Sequence, residues 1–203
     1  MAKTTGGNNN AKTTVKPKNN EITFSEGIVE VTNAHDTAKN IKAYFDAGLP
    51  NHDSEHRLIN MTYVLESFHI THYMCDNCSY TAMLHKIIGT RKFEITLNNN
   101  LIKPKRRDYA LACMLGEYIN DKNCRAVEKD MNALFSMFRA IPSRKSTENR
   151  EWAEQFALAF LIHDNYLIQL MEMNVPLKKI AKKFNVSTED VKYYYSIING
   201  SRF

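Results

Sequence analysis

Tyr109-Ala-Leu-Ala-Cys-Met-Leu-Gly-Glu-Tyr118 is the stretch on which the reading of this chain turns. It is apolar almost throughout, it begins shortly after Pro104, and it gives way to the turn-forming Asp121-Lys-Asn123. That pattern predicts a helix over 104–119. Just upstream, Lys92-Phe-Glu-Ile-Thr-Leu97 alternates apolar and polar residues. Phe93, Ile95 and Leu97 then share one face of a half-buried strand. Strand, Asn98-Asn-Asn100 turn and helix form the centre of the expected fold.

Working outward, the run 82–88 lies across Gly89-Thr90 from that strand and predicts a hairpin, although it also fits a helix. Cys75-Asp-Asn-Cys78 reads as a turn. Before it, Leu58, Met61, Leu65, Phe68 and His72 recur three or four apart, which predicts a helix from Asp53-Ser54 into 68–73. Residues 22–31 favour a short strand broken at Gly27. Asn33 or Asp36 caps a helix reaching Tyr44 or Phe45, stopped by Gly48-Leu-Pro50. Downstream, 125–140, 147–163, 165–173, 177–184 and 188–198 read as helices, and Ser187 with Asp190 is close to a capping box. The expected fold class is α+β, predominantly helical, with a small antiparallel sheet from about 80–98.

The 203 residues suit one domain with a small appendage, and 43% hydrophobic residues suffice for a core. Charge is uneven: residues 1–20 carry +4, residues 178–203 another +4, and the body between them −3. The body is therefore no basic nucleic-acid-binding surface, and attraction to phosphate sits at the ends. Residues 1–20 hold few large apolar side chains and predict a flexible basic tail. No apolar run approaches a membrane span and no export signal is evident, so a soluble cytoplasmic protein with reduced cysteines is expected. Gly-rich phosphate loops and G-x-S-x-G elbows are missing from the sequence, and no cofactor is expected.

Three segments in order carry a resemblance. Ile95-Thr-Leu-Asn-Asn-Asn-Leu101 followed by Arg106-Arg-Asp-Tyr-Ala-Leu-Ala112 resembles the strand, turn and active-site helix of ImmA/IrrE-type zinc metallopeptidases. Glu151-Trp-Ala-Glu-Gln-Phe-Ala-Leu-Ala-Phe-Leu161 is similar to the family's second helix. The stretch from Val175 to Ser187 resembles its closing helix–turn–helix-like segment. Together they span roughly residues 85–198. The resemblance implies a zincin-like helical body over 81–203, ending in a helix–turn–helix-like pair, with 21–80 as an N-terminal helical extension.

In such enzymes H-E-x-x-H sets two His ligands on one helical face, with a Glu base between them. Aligned here, the ligand positions hold Cys113 and Glu117, and the base position holds Met114. The distal carboxylate position holds Arg150, with Glu151 one residue out of phase. Met114 cannot accept a proton and a guanidinium repels a dication. The resemblance thus implies a pseudo-peptidase: a bacterial or phage regulatory or anti-host protein that binds a protein partner in the former cleft without cutting it.

Other readings stay open. His69, His72, Cys75 and Cys78 are zinc-ligand types at three-residue spacing, converging only if the chain folds back after Tyr73. Lys178, Lys179, Lys182 and Lys183, with the tail, could contact a nucleic acid, although Glu189 and Asp190 disfavour base reading. A structural component of a virion or another large assembly is a further alternative, and an atypical zinc peptidase, with Cys113 and Glu117 as zinc-binding residue types, is the last.

Overall fold

The computed structural model describes residues 21–24, 27–46, 59–87, 90, 92–121, 139–140 and 148–200. The tail 1–20, the expected helix start at 53–58, the Gly48-Leu-Pro50 stop and most of the expected helix 125–140 lie outside the described residues. The fold is α+β, with a small mixed sheet and helices packed about one core.

The chain opens with a hairpin of β1 (Glu21–Phe24) and β2 (Gly27–Glu30), then α1 (Ala34–Asp46). Asn33 Oδ1 accepts from the Asp36 amide at 2.9 Å and satisfies one open donor of α1. Helix α2 (Met61–Ser67) is capped by Asn60, whose Oδ1 accepts from the Thr62 and Tyr63 amides. It is shorter than its apolar stripe suggests. His69 turns into the left-handed region at φ 58°, and β3 (Ile70–Cys75) follows as an extended strand. His72 therefore lies on a strand, and the expected helix to 68–73 is corrected to end at Ser67. Pairing explains the change, because β3 forms a full parallel register with β5 (Phe93–Asn98), from Ile70 opposite Phe93 to Cys75 opposite Asn98. β-branched Ile70 and Thr71 favour that pleated surface.

Strand β4 (Ala82–Lys86) pairs antiparallel with β5, as the hairpin reading expects, and takes the strand alternative over the helical one. Sheet order is β3-β5-β4-β6, where β6 is Arg139–Ala140. The sheet is thus mixed and larger than the antiparallel pair expected from 80–98, and residues 139–140 are strand where helix was expected. Both departures arise from pairings between segments far apart in the chain, which local periodicity does not register.

After the Asn98–Asn100 turn, a 3-10 turn at Pro104–Arg106 leads into α3 (Arg107–Asn120). Then come α4 (Glu148–Leu161), α5 (Asp164–Glu172), α6 (Leu177–Lys183) and α7 (Thr188–Ile198). Ser187 and Asp190 complete the expected capping box: the Asp190 amide donates to Ser187 Oγ at 3.0 Å, and the Ser187 amide to Asp190 Oδ2 at 2.7 Å. Among the described residues no helix is long and apolar enough to cross a membrane.

The core joins Ile70, Leu84, Phe93, Ile95 and Leu97 of the sheet to Leu111, Leu115 and Tyr118 of α3 and to Phe156 and Phe160 of α4. Each such side chain contributes about 1.5–3 kcal/mol by leaving water. Gly116 sets how closely α3 and α4 approach. A Cβ there would lie 3.0 Å from the Ala153 Cα and 3.1 Å from its carbonyl oxygen, so the helices nearly touch backbone to backbone.

A polar node is centred on Asp164 at the start of α5. Asp164 Oδ2 accepts from Lys39 Nζ at 2.6 Å and meets His35 Nε2 at 3.0 Å, while Tyr194 donates to Oδ1 at 2.6 Å. It ties α1, α5 and α7 together. Burial works against the Asp164 charge, but hydrogen bonds from Lys39 and Tyr194 and the Lys39 and His35 charges outweigh it, leaving the carboxyl below its ordinary range. Its stabilisation is therefore present above the ordinary carboxylate range and lost as pH falls through the depressed value.

Two outcomes are expected. Gly116→Val lowers stability by about 1–3 kcal/mol in urea melts, because backbone atoms cannot yield as a side-chain tip does. Asp164→Asn lowers it by about 1–3 kcal/mol at pH 7, a difference that shrinks below about pH 4.

Candidate functional site

The turn that precedes α3 is built from asparagine side chains. Asn98 is buried; its Oδ1 accepts from the Asn100 and Leu101 amides at 2.9 and 3.2 Å, and its Nδ2 donates to the Cys78 carbonyl. The Asn99 amide donates to the Cys75 carbonyl at 2.8 Å, and Asn99 Nδ2 to Asp76 Oδ1 at 3.0 Å. These bonds fasten the 75–78 turn to the segment entering α3. They also place Thr81 and residues 101–103 over the α3 face that looks toward α4.

A cavity of about 280 Å3 lies there, walled by Cys113, Met114 and Glu117 of α3 and by Arg150, Ala153 and Glu154 of α4. Ile102, Lys103, Arg106 and Tyr109 complete it at the loop end. Four positions singled out from sequence, Cys113, Met114, Glu117 and Arg150, are thus brought together. Glu151 is not: it is exposed, and Glu154, one helical turn beyond Arg150, takes the carboxylate place in the wall. The missed signal was helical phase, since i and i+4 share a face and i and i+1 do not.

The charged walls are internally paired. Arg150 Nε donates to Glu154 Oε1 at 2.8 Å. The Arg106 guanidinium forms an ion pair with Asp190 of α7 and lies 3.9 Å from the Tyr109 ring centre. Asp190 thus serves both the α7 cap and the mouth of the cavity. Cys113 is buried, and burial pushes its thiol above the ordinary range, with Glu154 and Asp190 adding to the rise and a Tyr109 hydrogen bond and Arg106 opposing it. Tyr109 is likewise raised, first by burial.

These residues do not fit a catalytic zinc ion. Burial disfavours the Cys113 thiolate, Met114 offers no base, and Arg150 brings positive charge into the wall. Among the described residues, no group of three or more His, Cys, Asp or Glu is placed to hold a metal ion. The alternative set fares no better. Cys75 and Cys78 form a disulfide, His69 is exposed in the turn after α2, and His72 lies on β3. The expectation of reduced cysteines is corrected at this pair: the turn brings their Cα atoms to 6.1 Å, within bonding reach. Lys178, Lys179, Lys182 and Lys183 are exposed on α6, with Lys183 Nζ 4.8 Å from the Tyr166 ring centre.

No family model, no curated protein and no solved structure matches this chain.

Because its thiol stays protonated and shielded, Cys113 should alkylate at least about 100-fold more slowly with iodoacetamide at pH 8 than the same residue in urea. Peptide mapping reads the rates. Equal native and unfolded rates would show an accessible thiolate.

Proposed function

We propose that this chain is a non-catalytic binding protein whose α3–α4 cleft holds a segment of a protein partner. The observation that carries this reading is the cavity itself. It is walled by Cys113, Met114, Glu117 and Arg150, the positions that in the resembling metallopeptidases hold ligands and base. A cavity lies there although Met114, at the base position, cannot accept a proton from water. Its lining suits a peptide more than a sugar or nucleotide: Ile102, Ala110, Met114 and Ala153 present apolar surface, and Lys103, Arg106, Glu117 and Arg150 present charge of both signs. An apolar side chain flanked by acidic and amide groups fits that mixture.

On this reading the body is zincin-like and α6–α7 form its helix–turn–helix-like close. The resemblance supports a regulatory or anti-host role in a bacterium, phage or plasmid, where related enzymes act on helix–turn–helix repressors. The partner would be such a regulator, held without cleavage.

Displayed peptide libraries provide the test. Peptides selected on the wild-type chain should lose at least about tenfold in affinity on Glu117→Lys and on Arg150→Glu, both still folded by circular dichroism. They should emerge uncut, with zinc added or withheld. Unchanged affinity in both variants removes the cleft as the binding surface; cleavage that stops in Cys113→Ala replaces this reading with an enzymatic one.

A further inference from the structure

A second cavity, about 180 Å3 in volume, lies between α1 and the junction of α4 with α5, and it shares no residue with the cleft. Lys42 and Asp46 of α1 face Ala159, Ile162, His163 and Asp164 across it. Lys42 is only 5% exposed. Among the described residues its ammonium has neither an ion-pair partner nor a hydrogen bond; Asp46 and Asp164 act on it only through space. Asp164 is already engaged by Lys39, His35 and Tyr194. A buried lysine usually has its charge paired. This one lines an open space instead.

Burial lowers the Lys42 amine to about 8, with Lys39 adding to the fall and Asp46 and Asp164 opposing it. Burial also pushes the Asp46 carboxyl up, against the Lys42 charge. At pH 7.5 an amine titrating near that value is roughly one quarter free base, against about one part in a thousand for an ordinary lysine. The free base is the nucleophile. Charges around the cavity balance, two ammonium groups against two carboxylates, so a charged ligand gains little there. The volume is close to that of a cavity of about 150 Å3 that takes up benzene, so a ligand of about that size fits.

We propose that this cavity is a carbonyl-binding site in which Lys42 captures a small uncharged aldehyde as an imine. The Nζ lone pair attacks the carbonyl carbon, and the C–O π pair moves to oxygen, which takes up a proton from solvent. Nitrogen then gives a proton to the Asp46 carboxylate, directly or through solvent. The hydroxyl leaves as water with a proton returned by Asp46, and the nitrogen pair closes the C=N bond as a protonated imine. Each imine releases one water and takes up one proton from solvent, and no electron changes hands.

Benzaldehyde with cyanoborohydride, which reduces the imine to a stable amine, tests this on the full chain. Peptide mapping at pH 7.5 should show Lys42 modified at least about tenfold faster than the exposed Lys178 and Lys179, with the rate levelling off above about pH 8. The α-amino group reports on a separate peptide. Lys42→Met should remove the fast adduct, and Asp46→Asn should slow it at unchanged aldehyde concentration. The proposal is overturned if Lys42 reacts no faster than the exposed lysines, or if its rate keeps climbing into the ordinary lysine range. The wild-type map decides this even if Lys42→Met does not fold. An unaltered rate in Asp46→Asn would overturn the proton relay.

Discussion

The near-contact of α3 and α4 at Gly116 is the constraint on which the rest depends. A glycine inside a helix costs about 0.5–1 kcal/mol relative to alanine. Here that cost is offset by what the close approach buries: Leu115 on one helix, Phe156 and Ala157 on the other, all within 1% of complete burial. Around the contact the two helices carry larger residues, Cys113 and Arg150 about one turn before Gly116 and Ala153 and Glu117 and Glu154 directly after them, and these wall the cleft. The glycine and the cavity are therefore two consequences of one crossing.

The charged groups around α4 fall into two kinds. On the cleft side, Arg150 pairs with Glu154, and Arg106 reaches Asp190 in the cap of α7. Such pairs hold side chains in place more than they add stability, because partly exposed ion pairs are worth little. Elsewhere, Asp164 gathers three donors from two elements, α1 and α7, and Lys42 close by has no ion-pair or hydrogen-bond partner among the described residues. The first arrangement shapes a rigid, mixed-charge mouth. The second leaves a desolvated amine beside empty volume, which is chemically a different kind of surface.

Hydrolytic zinc sites need ligands that surrender protons, a base beside the bound water and no competing cation. The cleft holds a buried thiol at 113, a thioether at 114, a carboxylate at 117 and a guanidinium at 150. It is concave, mostly apolar and bordered by charge of both signs, which suits the proposed recognition role.

Local chemistry made much of this legible from the residues alone. The helices at 107–120 and from 148 onward, the β4–β5 hairpin and the Ser187–Asp190 cap follow from periodicity and turn residues, and the gathering of Cys113, Met114, Glu117 and Arg150 was implied by the resemblance. The strand character of β3, the mixed sheet, the disulfide between Cys75 and Cys78, the place of Glu154 and the isolation of Lys42 did not. The division has one physical reason. Periodicity and capping depend on neighbours within about one turn, and the sequence alone determines them. Strand pairing between residues 70–75 and 93–98, and the desolvation of an amine by helices over a hundred residues away, depend on partners that only the folded chain brings together.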